Sequence, residues 1–263
     1  MIRPSAALFV LAAALAAYPL PAPAQFEGRL EYQMKGPHGA GTITVWAGAA
    51  GARTEFSKAA AASGTGSAED MPADFHFTAL WRRDDPDHLY MVNDARKVYA
   101  VLDMNKDKEE TPRIERVGTS RVAGYSCQRV RITANNGQAH ELCITDQLGD
   151  FSVPLGASAR SVALWSELRH QGLSGVPVSW TDLDPQQDER SSIVLTSAEK
   201  QRVPASRFAI PTGYTRSSAI EAFASPAQQQ KMQEMLEKMK ERMKDMSPEQ
   251  RQKLEEMMKR YQN

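Results

Sequence analysis

Residues 26–35, FEGRLEYQMK, alternate strictly between two kinds of side chain. The largely apolar set is Phe26, Gly28, Leu30, Tyr32 and Met34, and the polar set is Glu27, Arg29, Glu31, Gln33 and Lys35. A period of two residues is that of a β-strand with one buried and one solvated face. This stretch therefore predicts a half-buried strand of an antiparallel sheet.

Similar short segments follow, separated by turn residues such as Gly36-Pro37-His38-Gly39. They predict strands at 41–47, 51–57, 75–82, 88–92, 97–102, 113–117, 126–133, 138–145, 178–183 and 193–199. A helix is predicted at 155–170, because Val162, Trp165 and Leu168 share a face. Residues 59–70 are mostly small and predict a flexible loop. These strands, with one helix over 25–216, predict an α+β, mainly antiparallel β fold class.

The first 24 residues indicate the compartment. Arg3 is the only charged residue before the apolar run 6–18, and the run is followed by Ala22-Pro23-Ala24. This is the layout of a secretory signal peptide with cleavage after Ala24. The run is too short to span a bilayer comfortably. We therefore expect a periplasmic or secreted protein that is not an integral membrane protein after cleavage.

Composition and motifs argue against several classes of function. The chain has 32 Lys and Arg against 32 Asp and Glu, a formal net charge of zero. This balance favours no nucleic-acid partner. The Gly-x-Ser-x-Gly segment of hydrolases is absent from the sequence. Because no catalytic motif stands out, we expect a non-enzymatic protein without cofactor or metal.

The two cysteines, Cys127 and Cys143, lie in predicted strands on either side of a turn at 134–137. If this hairpin centres on Asn135, the two residues are equidistant from the centre and directly opposed. Their Cβ atoms would then lie about 4.5–5.5 Å apart. One cysteine pair in an exported protein predicts a stapling disulfide. A redox-active pair is the alternative, although the Cys-x-x-Cys spacing is absent.

Several polar and aromatic side chains are candidates for a site or for the core. Asp84, Asp85, Asp87 and His88 form an acidic cluster that could bind a metal, but Asp85-Pro86 is also an ordinary solvated turn. The histidines at 38, 76, 140 and 170 are scattered and share no ligand spacing. Arg129 and Arg131 share the Cys127 face and would meet either solvent or an anionic head group. The core is expected to contain Trp46, Trp81, Trp165 and Trp180.

The C-terminal tail, residues 217–263, differs in composition from the rest of the chain. Methionines recur at steps of three and four, which predicts an amphipathic helix. Ser247-Pro248 then predicts a second helix or a kink. The candidate partner-binding residues are Met232, Met235, Met239, Met243 and Met246. Three further interpretations stay open: packing on the sheet, self-association, or copper(I) binding by the thioethers.

Four short segments together resemble a family of exported bacterial proteins of unknown function, related in fold to the lipoprotein carriers LolA and LolB. The segments are Phe26-Glu27-Gly28, Ala123-Gly124-Tyr125-Ser126-Cys127, Gly175-Val176-Pro177 and Phe208-Ala209-Ile210-Pro211-Thr212-Gly213-Tyr214. The resemblance covers approximately residues 26–214. It implies an incomplete LolA/LolB-like β-barrel over a helix, with an apolar concavity that shields acyl chains in LolA-like members. The loop 59–70 and the tail depart from this pattern, and no ligand-binding residue is transferred.

These observations lead to two functional expectations. The first is a periplasmic protein whose domain, residues 25–216, binds a lipid or acyl chain in the concave face of the open barrel. The alternative is an interaction or chaperone-like module in which the Met-rich tail, 217–263, binds a protein partner or self-associates.

Overall fold

The computed structural model describes residues 25–37, 39–58, 76–104, 112–134, 136–151, 159–184, 186, 188–224, 230, 233–235 and 237–238. Three predicted features lie outside these residues: the signal peptide 1–24, the small-residue loop 59–70, and the tail methionines other than Met235.

The described chain is built mainly from strands. These are β1 Gly28–Gly36, β2 Gly39–Gly48, β3 Gly51–Lys58, β4 His76–Arg82, β5 Asp85–Asn93, β6 Val98–Asp103, β7 Arg113–Val122, β8 Tyr125–Thr133, β9 Ala139–Thr145, β10 Val176–Leu183, β11 Glu189–Lys200 and β12 Thr215–Arg216. The helices are α1 Ala159–His170 and α2 Ala219–Phe223, with a 3₁₀ turn at Ala205–Phe208. Most strands begin and end within a few residues of the predicted bounds. The prediction missed the short elements between 205 and 223.

All strands of the described chain form one sheet in the order β12-β6-β5-β4-β3-β2-β1-β11-β10-β9-β8-β7. Every pairing is antiparallel except that of β12 with β6. The edge strands β12 and β7 do not pair with each other, so the sheet is open over the described residues. The predicted mainly antiparallel fold class is therefore confirmed.

Helix α1 covers one face of the sheet, which we call the inner face. Leu164, Trp165 and Leu168 of α1 pack in one cluster with Val130 of β8 and Leu142 of β9. Trp165 and Leu168 of the predicted helix face are both in this cluster, and the side chain of Val162 lies outside the described residues. Helix α1 ends where the Leu173 N–H donates to the Leu168 carbonyl at 2.8 Å, a typical helix-closing hydrogen bond.

The 3₁₀ turn at Ala205–Phe208 lies on the opposite, outer face, where Arg207 lies over the Trp46 ring. Phe208 is buried so close to Gly48 that a Cβ on that glycine would lie 3.1 Å from the Phe208 ring. Further along, the Asn93 side-chain amide donates to the Ala222 carbonyl at 2.7 Å, and Arg96 donates to the Glu221 carbonyl at 2.7 Å. These contacts hold α2 against β5 and β6.

The four tryptophans do not all lie in the core as predicted. Trp165 of α1 is buried between the helix and the sheet, whereas the other three are only half-buried. Trp46 lies on the outer face beside the guanidinium groups of Arg29 and Arg207. Trp81 and Trp180 belong to the inner face, where each flanks a buried cluster. These three rings are only half-buried because strands in an open sheet leave part of a large ring exposed to solvent.

The disulfide between Cys127 and Cys143 is present, with a Cα–Cα distance of 5.3 Å. Its predicted register is wrong, because Cys143 lies opposite Arg129 rather than Cys127. The Ala134 N–H donates to the Gln138 carbonyl, so Thr133 pairs with Ala139 and the turn centres on residue 136. The bridge therefore runs diagonally. Both cysteines are buried with Leu148 and Phe151, apart from the cluster under α1.

No helix among the described residues is both long enough and apolar enough to cross a membrane.

Candidate functional site

A row of half-buried apolar side chains crosses the inner face. Eight neighbouring strands, from β6 to β10 in the order of the sheet, each contribute one residue. We call this row the inner apolar strip, and it consists of Leu102, Met91, Phe77, Phe56, Ile43, Met34, Ile193 and Trp180. Strand alternation and the observed register place all eight on the face that α1 covers elsewhere. The strip is therefore an apolar surface that the described chain covers only in part.

Buried residues support the strip from the same face. Leu30, Tyr32, Val45 and Leu195 belong to one cluster in the middle of the sheet. Tyr32 is tied down by a hydrogen bond from its hydroxyl to the Pro177 carbonyl at 3.0 Å, and burial raises the pKa of this hydroxyl. The half-buried side chains of the strip are thus flanked on their own face by a packed cluster.

One end of the strip adjoins a polar cluster. His140, Asp182 and Ser191 lie opposite one another on β9, β10 and β11. The Asp182 carboxylate accepts from His140 Nδ1 at 2.7 Å, from Trp180 Nε1 at 2.7 Å and from Ser191 Oγ at 2.5 Å. The hydrogen bond from His140 and those from Ser191 and Trp180 outweigh partial burial and lower the pKa of Asp182 to about 2.

This polar cluster is suited to hydrogen bonding and not to acyl transfer. In a Ser-His-Asp triad the imidazole stands between the hydroxyl and the carboxylate, so that it can take the hydroxyl proton. Here both the Ser191 hydroxyl and the His140 ring donate to Asp182. The arrangement orients the His140 ring, which also packs 5.4 Å from the Trp180 ring.

Asp182 should make folding stability depend on pH in the acid range. Its carboxyl has an ordinary pKa of 3.8 and a folded value of about 2, so its contribution is present above pH 3.8 and lost as pH falls through about 2. In Asp182→Asn we expect the urea midpoint to fall less between pH 4 and pH 2 than in the wild type. The effect is modest because the carboxylate is 40% exposed. Asp188→Asn is the control, and an identical slope in all three proteins would contradict the assignment.

Arg129 and Arg131 do not stand free for an anionic head group. Arg129 Nη2 lies 2.6 Å and Arg131 Nη2 lies 2.7 Å from the two carboxylate oxygens of Glu141. Burial alone would raise the pKa of Glu141, but the hydrogen bonds from both arginines hold it below its ordinary value. Arg129 and Glu141 also line a cavity of about 180 Å³ beside Cys143. These contacts favour a structural role for the two arginines.

Asp84 and Asp85 of the acidic cluster at 84–88 form hydrogen bonds with neighbouring side chains of the same chain. Asp84 accepts two hydrogen bonds from Arg82, and Asp85 accepts from His88 Nδ1 and from the Tyr90 hydroxyl. Hydrogen bonds from Tyr90 and His88 lower the pKa of Asp85, and the bond to Asp85 raises the pKa of His88. Within the ranges described, no three His, Cys, Asp or Glu side chains are grouped to hold a metal ion.

Of the scattered histidines, the structure brings His140 to a polar cluster, whereas His76 and His170 are exposed and His38 lies outside the described residues. Met235 of the predicted partner-binding stripe is 64% exposed. The other four stripe residues, Met232, Met239, Met243 and Met246, lie outside the description. Sequence reasoning missed Asp182 and Ser191, because only the β9-β10-β11 order brings them to His140.

The fold and the site define a class: a disulfide-bonded protein with one open, mainly antiparallel sheet and an apolar strip on its inner face. The family follows from comparison with known sequences. The chain belongs to the family described as Domain of unknown function (DUF4412), whose model matches residues 26–214. The family resemblance predicted from the four short segments is thereby confirmed. Among curated proteins, no match was found.

Solved structures similar to the chain come from several bacteria. An uncharacterized conserved protein from Thermus thermophilus has a TM-score of 0.44 at 10% identity, over 73% of this chain and 91% of that one. The MucA/MucB complex of Pseudomonas aeruginosa has a TM-score of 0.40 at 10% identity, over 75% of this chain and 57% of that one. A LolA superfamily protein from Nitrosomonas europaea has a TM-score of 0.31 at 8% identity, over 72% of this chain and 91% of that one.

Proposed function

We propose that this is an exported, non-enzymatic protein that binds a lipid or another acyl chain along the inner apolar strip, in the manner of an open LolA/LolB-like barrel. The observation that carries the proposal is the row of eight half-buried apolar side chains on consecutive neighbouring strands. A contiguous apolar surface of this kind is typical of a ligand groove or an interface.

The dimensions of the strip suit a chain-like ligand. Neighbouring strands are about 4.8 Å apart, so seven steps from β6 to β10 span roughly 34 Å along the sheet. An extended acyl chain laid across the strands would contact one side chain at each step. Each methylene group removed from water would contribute about 0.8 kcal/mol.

The polar cluster at the β10 end gives the strip a direction. Asp182 already accepts hydrogen bonds from three donors, whereas the described residues place no hydrogen bond on His140 Nε2. A ligand with an apolar body and a polar end group would therefore lie with that group near His140. Pockets with mostly apolar walls and a few fixed polar groups are typical of small-molecule sites.

The disulfide supports export. Disulfides persist in oxidising compartments and are rare where thiols are kept reduced. In the described part of the chain both cysteines are paired. Together with the signal peptide predicted at 1–24, the bridge favours the periplasm as the place where the protein binds its ligand.

Ligand binding can be tested with Trp180 as the reporter. A fatty acid brominated along its chain quenches a tryptophan only at contact, so we expect it to quench Trp180. Ile193→Glu puts a carboxylate into the strip beside Trp180 and should weaken binding about tenfold or more, because a charge would face the acyl chain. The matched control is Val194→Glu, since Val194 is exposed and points to the opposite face. Trp180→Phe assigns the quenched signal.

Equal binding by Ile193→Glu and Val194→Glu would contradict the strip as the site. The alternative function would then gain weight, because Met235 exposes a large apolar side chain on the tail. In that case light scattering of the same samples should show a dimer or a larger assembly. The carrier proposal alone is supported if the wild type is a monomer, its tryptophan fluorescence is quenched by the brominated acid, and this quenching is lost in Ile193→Glu.

A further inference from the structure

A cavity distinct from the one beside Cys143 lies at the end of the sheet where the β2–β3 and β4–β5 turns meet the C-terminal segment. Its volume is about 630 Å³, within the range of small-molecule sites. The lining includes Ala50, Arg82, Arg83, Asp84, Phe208 and Ile210. We call it the turn cleft. It combines an apolar wall from the C-terminal segment with a charged wall from the β4–β5 turn.

Arg83 is held in place at the charged wall. Its Nε donates to the Ala49 carbonyl at 2.9 Å, and its Nη2 donates to the Gln25 side-chain oxygen at 2.8 Å. The guanidinium also lies over the Trp81 ring, 5.9 Å from its centroid. All three partners are neutral, so no carboxylate in the described chain cancels the Arg83 charge through these contacts. A guanidinium has five N–H donors, which leaves three for a ligand.

Arg82 differs from Arg83 because its charge is matched. Its Nε and Nη2 donate to the two oxygens of Asp84 at 3.0 and 2.6 Å, a bidentate pair. The hydrogen bonds from Arg82 lower the pKa of Asp84, so this carboxylate is ionised near neutral pH. The three charged groups of the cleft therefore sum to one positive charge, and that charge is on Arg83.

We propose that the turn cleft binds an anionic amphipath, with the anionic group on Arg83 and the apolar body against Phe208 and Ile210. The positive charge is preorganised by three neutral partners, and two oxygens of a carboxylate or phosphate group match the guanidinium fork. Because one wall of the cleft is apolar, an anion with an apolar body fits it better than a purely ionic ligand. This site is separate from the inner apolar strip, so it adds a charge preference that the proposed function does not contain.

Calorimetry of the full-length mature protein with decanoate tests the assignment, at concentrations below micelle formation. Arg83→Gln should weaken decanoate binding about tenfold. Asp84→Asn should strengthen it roughly threefold, because it removes the only carboxylate among the named lining residues. A lower decanoate affinity in Arg83→Gln together with a higher affinity in Asp84→Asn would show that binding depends on the charge of the cleft. Arg190→Gln, an exposed arginine on β11, is the control and should leave the affinity unchanged.

Ligands with similar alkyl chains and different head groups separate the contribution of the head group to the affinity from that of the chain. Neutral decyl maltoside should bind Arg83→Gln and the wild type equally, and decyltrimethylammonium should bind more weakly than decanoate. Equal affinity for the three ligands, or shifts of the same sign in Arg83→Gln and Asp84→Asn, would overturn the inference, as would a lack of decanoate binding. Ile193→Glu separates the two proposals, since only the strip requires it to weaken binding.

Discussion

Gly175→Ala is expected to lower the free energy of unfolding by about 3–5 kcal/mol. A Cβ on Gly175 would lie 2.2 Å from the Thr145 carbonyl oxygen and 2.7 Å from its carbon. The residue also has φ +132°, a conformation that residues with a Cβ adopt only under strain. Thr145 cannot move aside easily, because it pairs with Val176 in the β9–β10 ladder.

Gly213→Ala is the matched control for this substitution. Gly213 also has a positive φ, +84°, but a Cβ there would meet no heavy atom within 4 Å. It should cost only the conformational strain, about 1–2 kcal/mol. Urea unfolding gives the loss of unfolding free energy in each variant. The difference between the two losses reports the effect of the close approach alone. Equal losses of stability would show that Gly175 does not approach the Thr145 backbone as the structure places it.

Gly175 and Gly213 belong to two segments of the family pattern, and each segment contains glycine for a different reason. In Gly175-Val176-Pro177 the glycine lets one strand begin directly against the backbone of another. In the segment 208–214 the glycine serves a turn in open space. The segments could be recognised in the sequence, but the difference between them depends on contacts with residues distant in the chain.

Individual strands were predictable because each carries its own local signal. The alternation at 26–35 appears as β1 Gly28–Gly36, and the polar turn residues mark most strand ends. β7 runs to Val122 instead of ending at 117, because the register shifts between Arg116 and Gly118 and the alternation changes phase there. A local bulge hides the continuation of a strand from a pattern with a period of two.

Pairing between strands was less predictable. The β8–β9 register differs from the expected one because the turn centres on residue 136, and a shift of the centre by one residue moves each partner by two. Since the shift is even, each side chain stays on its predicted face. Cys127 and Cys143 therefore still reach each other, diagonally instead of directly.

The candidate site could not be predicted, because it depends on the order of the strands. Met34 and Ile193 belong to β1 and β11, which are neighbours only because the chain returns to the first strand late in the domain. The same return brings Ser191 to Asp182. In the sequence these residues are unremarkable members of separate strands. Their shared face appears only when the sheet is assembled.

Removal of the disulfide is expected to have the second large effect on stability. Cys127 and Cys143 are separated by 16 residues, and a loop of this length stabilises a folded protein by about 3 kcal/mol through its effect on the unfolded chain. We expect the double variant Cys127→Ala, Cys143→Ala to lose about 2–4 kcal/mol of unfolding free energy in urea. Alanine keeps the buried site apolar, so the measured loss comes mainly from the missing link and a small cavity.

Reduction of the wild type separates the link from the cavity. The reduced wild type keeps both side chains and loses only the bond, so its stability should lie at or slightly above that of the double variant. An unchanged urea midpoint on reduction would show that the β8–β9 hairpin is equally restrained without the bridge. A loss far larger than about 4 kcal/mol would mean that the bridge also holds the cluster with Leu148 and Phe151, which includes the buried residues beside the inner apolar strip.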